Sequence, residues 1–215
     1  MHENKEMKLL TSLLKKEFLE YSRNKMNGIL FIFTLLFALF VPAPVEVKQM
    51  KMTVDGAHLF VLLLVIAVML IHQYMYDSCQ NDFTSGGTIF MLNLNCPAWI
   101  SGAVKGTVSL FMGICICLAG VRFVHSVDDL FPLFLLFAVS FTAVSLFDYC
   151  ISILLRKATV ASYVLDVAFG SLLLIPLAID IPLLLKCTVC AFSFLFSYAA
   201  FSKAFRSKSF RASLK

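Results

Sequence analysis

Two carboxylic acids and one imidazole stand inside otherwise apolar stretches of this chain: Asp148, Asp166 and His72. An ionised carboxylate facing lipid is costly, so each acid must face protein or water. Asp148 and Asp166 each lie about eight residues, roughly 12 Å of helix rise, from the Arg156-Lys157 pair. A helical hairpin turning at that pair brings the two acids to similar depth. One chemistry on offer is a polar, proton-sensitive lining for a cationic or amphipathic substrate. The other is structural, with the acids capped by Ser or Thr hydroxyls, paired with Arg156 or Lys157, or protonated. His72 stands one turn from Tyr76 and either meets the same pathway or packs as a hydrogen-bonded core residue. Tyr74 and Tyr76 sit where interfacial aromatics belong.

Enzyme chemistry needs a denser constellation than this. The four His residues, at 2, 58, 72 and 125, have no mutual spacing that makes a site. The seven Cys residues lie mostly in apolar stretches, and Cys187 with Cys190 lacks a second pair, so they are expected to be reduced packing residues and no metal is expected. No G-x-x-x-x-G-K-[ST] run occurs, so the chain is not expected to cradle nucleotide phosphates itself. No catalytic residue and no cofactor of its own are therefore expected.

The elements that would position these residues are set by composition. Of 215 residues, 60% are hydrophobic and 14% charged, and the mean hydropathy is +0.88. That leaves too little polar surface to cover a water-soluble globule, so a bilayer is the expected solvent. The formal charge of +5 does not point to nucleic acid, because the basic residues gather at the ends of apolar runs, where topology and lipid headgroups account for them. Residues 9 to 25 place Leu10, Leu13, Leu14, Phe18 and Tyr21 at helical spacing, with Lys15, Lys16, Glu17 and Glu20 on the other face: an amphipathic helix for the cytoplasmic interface. Six apolar runs follow, about 28–41, 59–76, 104–124, 130–155, 158–179 and 183–205. All basic residues except Lys48, Lys51, Arg122 and Lys186 fall on one side if both termini are cytoplasmic. The expected fold is an all-α membrane protein of six transmembrane helices. Its parts are a cytoplasmic N-terminus with the interfacial helix (1–27), a six-helix domain (28–205) and a basic cytoplasmic tail (206–215). No cleaved leader is expected.

The stretch 77–103 between the second and third runs is the most distinctive. It starts with acids and amides, passes Gly86-Gly87, alternates apolar and polar residues, reaches Pro97 and enters the next run behind Lys105. It reads as an extension of the second helix, a turn at the glycines, a short helix from about Thr88 to Asn95 and a new helix opening near Pro97. Asp82, Gly87-Thr88, the apolar run Ile89 to Leu94, Pro97 and Lys105, in that order, resemble the segment that joins the second and third spans of ABC-2 type export permeases. The amphipathic LLKKEFLEYSRNK, running straight into the first span, resembles that family's interfacial helix.

The resemblance implies the non-catalytic membrane subunit of an exporter in the cell's inner or plasma membrane. Two ABC ATPase subunits, carrying ATP and Mg, would dock from the cytoplasm, and a second permease copy would complete a homodimer or heterodimer. Under that resemblance Asp82, Phe83, Gly87, Thr88, Ile89, Leu92 and Pro97 form the ATPase-coupling segment, while His72, Asp148 and Asp166 are candidates for the substrate pathway. The expected cargo is amphipathic or hydrophobic, with small peptides or toxins the best guess. The alternatives are a secondary carrier independent of ATP and a structural or immunity-type membrane protein.

Overall fold

The computed structural model describes residues 3–41, 45–47, 52–54, 56–84, 98–120, 123, 130–155, 159–178 and 182–206. These form seven helices and one short ribbon: α1 (Glu3–Arg23), α2 (Lys25–Phe40), β1 (Val45–Val47), β2 (Met52–Val54), α3 (Gly56–Thr84), α4 (Ala98–Gly120), α5 (Leu130–Leu154), α6 (Thr159–Ala178) and α7 (Leu183–Arg206). The ribbon is antiparallel, pairing Val45 with Val54 and Val47 with Met52. It is a small departure from the all-α expectation.

Four stretches are long and apolar enough to cross a bilayer: His58–Asp82, Ile100–Gly120, Phe134–Ser152 and Leu183–Ala204. The protein is thus a helical, membrane-type chain with four helices of spanning length among the described residues, where six were expected. The other two candidates are shorter. α2 has 16 residues, about 24 Å of rise, because Asn24 caps its start and Val41 turns extended before Pro42 at its end. The apolar part of α6 is Val160–Ile175. α1 and α2 meet at an angle of 78°, which separates an amphipathic helix from the apolar one that follows it.

α5 lies at the centre, packed by α3, α4, α6 and α7. Small residues let the helices close up. Gly102 and Gly106 of α4 face Leu146 and Thr142 of α5, where an added Cβ would lie 3.0 and 3.3 Å from those side chains, and one at Gly113 would run into the Phe141 ring. Gly170 of α6 makes the same kind of approach to Val68 of α3. Hydroxyls in these apolar helices return to their own backbone: Thr107 to Ala103, Thr142 to Ala138 and Ser145 to Phe141. These three hydroxyls are thereby satisfied without water. The six described Cys residues are free thiols.

Candidate functional site

Lys105 lies two turns inside α4 and is 2% exposed. Its ammonium is 2.5 Å from Glu17 Oε1 of α1 and 2.7 Å from Asp82 Oδ2 of α3. It also donates to the Ser78 hydroxyl and lies 5.5 Å from the centre of the Tyr149 ring of α5. Lys16 donates to the other oxygen of Asp82 at 2.6 Å and lies 3.4 Å from Glu20. Glu17 Oε2 accepts from Tyr74 at 2.8 Å and from Ser78 at 2.9 Å, and Tyr149 donates to Asp82 at 3.4 Å. The two buried acids thus meet two ammonium groups, a balance that buried charge requires. Partial burial alone would lower the pKa of Lys16, but the touching Asp82 carboxylate outweighs it and the pKa is raised.

These contacts follow from spacing on the helices. Tyr74, Ser78 and Asp82 recur every four residues and form one stripe of α3. Glu17 falls on the apolar stripe of α1, three residues after Leu14 and four before Tyr21. The expectation that Glu17 belongs to the polar face is therefore corrected: α1 packs against α3 and α4, and its inward stripe carries one acid matched to Lys105. A second fastening lies at the bend between α1 and α2. Asn24 and Asn27 donate to Asp77 Oδ2 at 2.7 and 3.2 Å, and Gln73 donates to Asp77 Oδ1 at 3.1 Å.

His72, Asp148 and Asp166 come together from α3, α5 and α6, with one donor atom of each within 4.8 Å of the others. His72 Nδ1 lies 2.5 Å from Asp166 Oδ2, and Ser162 donates to the same oxygen at 3.3 Å. Among the described residues no N–H or hydroxyl donates to either oxygen of Asp148, which faces the Asp166 carboxyl. The Tyr163 ring meets the His72 ring edge-on at 5.1 Å. His72 and Tyr74 are two residues apart, about 200° around α3, so the cluster lies on the opposite side of α3 from the Lys105 network.

Compared with known proteins, the chain matches no family model, no curated protein and no solved structure. The residues themselves must carry the functional reading.

Of the residues expected to couple to an ATPase, Asp82 is buried and held by two lysines, and Phe83 lies within α3. Gly87, Thr88, Ile89, Leu92 and Pro97 lie outside the described residues, as does the short helix expected over 88–95. Within the expected segment 77–103, residues 77–84 continue α3 and 98–103 open the next helix, and 85–97 lie outside the described residues. The pathway candidates His72, Asp148 and Asp166 form one cluster, and the expected shared depth of the two acids is realised in their contact. Sequence reasoning gave Glu17 and Lys16 only a place on the polar face of α1 and left Tyr149 without a role. An acid on an apolar helical stripe was the available signal for Glu17; nothing local marked Tyr149.

Proposed function

We propose that this chain is the permease subunit of an ATP-driven exporter of the ABC-2 type, working with a separate ATPase. In this reading α2 and α6 also cross the bilayer, giving six spans with both termini cytoplasmic, and α1 lies in the cytoplasmic interface. The observation that carries the reading is the buried Glu17–Lys105–Asp82–Lys16 network. It fastens the interfacial helix to the end of α3 and the start of α4, the two helices that flank 85–97. A push delivered to that segment by a closing ATPase pair would move α1, α3 and α4 as one body and not bend a loose loop. The order Asp82, Gly87-Thr88, Pro97, Lys105 supports the same reading, with the acid and the lysine in mutual contact.

A second permease copy packs best on α7, since only 11% of its apolar stretch is buried within the chain, against 56–61% in the other three spanning stretches. Leu184, Phe192, Leu195 and Phe196 are exposed along it. Small amphipathic peptides remain the favoured cargo. ATP and Mg would be held by two ATPase copies, and lipid headgroups by the basic tail.

The test is co-expression of the tagged chain with the ABC ATPase encoded beside it, mild extraction and assay of the purified complex. A stoichiometric ATPase, lost or uncoupled in an Ile89→Ala, Leu92→Ala double variant, is the expected result. Absence of any ATPase partner under mild extraction would sink the proposal. A carrier independent of ATP is the second reading. It draws on the membrane-embedded His72, Asp148 and Asp166, residue types that ion-coupled carriers use at depth.

A further inference from the structure

We propose that His72, Asp148 and Asp166 form a binding site for a divalent transition-metal cation inside the helix bundle. The proposal stands whether or not the chain is a permease. The three residues are 4%, 0% and 0% exposed and come from three different helices, so no local turn forces them together. Packing of α3, α5 and α6 does.

Two features point to a cation. Among the described residues no N–H or hydroxyl reaches either oxygen of Asp148 or Oδ1 of Asp166, although buried polar atoms in folded proteins are nearly always paired. The Asp148 carboxylate is directed at the other two side chains, since one donor atom from each residue falls within 4.8 Å of the rest. The second feature is charge. On the opposite side of α3 the same bundle neutralises Glu17 and Asp82 with Lys105 and Lys16, whereas among the described residues the His72 cluster has no Lys or Arg ion pair. Two carboxylates beside a single imidazole leave a deficit of positive charge even when His72 is protonated, and one dication fills it.

The donor set selects the kind of ion. One imidazole nitrogen with carboxylate oxygens suits zinc, manganese or ferrous iron, whereas magnesium and calcium prefer oxygen alone and cuprous copper prefers thiolates. An ion about 2.1 Å from each donor in tetrahedral geometry sets the donors about 3.4 Å apart, so side chains up to 4.8 Å apart would draw together by up to about 1.4 Å on binding. Ser162 donates to Asp166 Oδ2, which leaves Oδ1 for the ion. The Tyr163 ring packs against the His72 imidazole. Such outer contacts orient ligands in metal sites. Glu17, Glu20 and Asp82 also approach one another within 4.8 Å, but their lysines already neutralise the buried pair.

The experiment uses the full chain with a tag free of histidine, purified in detergent without chelator and equilibrated with zinc. Metal content after gel filtration and the thermal midpoint with and without zinc are measured for wild type, Asp148→Asn, His72→Gln and the control Glu20→Gln. About one zinc per chain and a raised midpoint are expected for wild type and Glu20→Gln. Loss of the zinc-induced shift and at least about tenfold weaker zinc binding are expected for Asp148→Asn and His72→Gln. Wild type that holds neither zinc nor manganese and shows no shift overturns the proposal, with protons then neutralising the acids. So does equal zinc binding by wild type and Asp148→Asn, which places the metal elsewhere, for instance at the exposed Cys187. If both site variants aggregate, wild type decides: removal of bound zinc by a chelator must lower the midpoint, and no change refutes the site.

Discussion

Replacement of Lys105 by Met tests the buried network at its centre. Met keeps an unbranched side chain one heavy atom shorter and removes the charge and its hydrogen bonds. With Glu17 at 2.5 Å and Asp82 at 2.7 Å, each attraction is roughly 6 kcal/mol at an effective dielectric of about 20. Most of that gross attraction is offset by the several kcal/mol needed to desolvate each ion. The variant leaves two buried acids within 4.8 Å of each other, a repulsion of about 3.5 kcal/mol or more at the same dielectric, with only the partly exposed Lys16 to balance them. The expected loss of stability is therefore about 3–5 kcal/mol, the range for stripping one partner from a buried ion pair. Reversible unfolding in mixed detergent–SDS micelles, followed by circular dichroism, measures it. A Glu17→Gln, Lys105→Met double variant removes one stranded acid and should be less destabilised than the sum of the single variants by about 2 kcal/mol. A Lys105→Met variant within about 0.5 kcal/mol of wild type, a size typical of surface substitutions, or strict additivity in the cycle, would refute the role given to the network.

Two further predictions concern packing and topology. Gly113→Ala drives a methyl group into the Phe141 ring and should cost about 1–3 kcal/mol. Gly28→Ala in α2 meets nothing within 4 Å and should raise stability by up to about 1 kcal/mol through helix propensity; the same unfolding assay reads both signs. With both termini cytoplasmic, the exposed Cys187 near the start of α7 should react with a membrane-impermeant maleimide added outside cells, whereas the buried Cys79 and Cys117 stay silent. Labelling of Cys187 only after the membrane is opened would reverse the proposed orientation.

Features confined to one helix were legible in the residues. The amphipathic character of α1, the helical extension of α3 past its apolar run and the opening of α4 next to Pro97 all follow from local periodicity and backbone preference. The common depth of Asp148 and Asp166 was legible too, because a short hairpin makes depth a matter of counting from its turn. The span count was less so. Composition marks α2 and α6 as apolar, but their lengths are set by where each helix is capped or turned, at Asn24 and Val41 for α2. The membership of Glu17 in the core was missed because its charge outweighed its position on the apolar stripe.

By itself the sequence determined the solvent and the material of this protein: long apolar segments with satisfied backbones are stable in a bilayer as helices, and no partner is needed to establish that. It also supplied two acids and two lysines for the network around Lys105, without indicating the pairs. Which acid meets which base was decided only by the tertiary structure. Glu17, Asp82 and Lys105 are far apart in the chain and become neighbours because small residues let α3, α4 and α5 approach closely while α1 folds back across them. The same packing turned His72 away from the lysines and toward two carboxylates, since residues two apart on a helix face opposite sides. Contacts of that kind depend on the angles between helices, which no local pattern records.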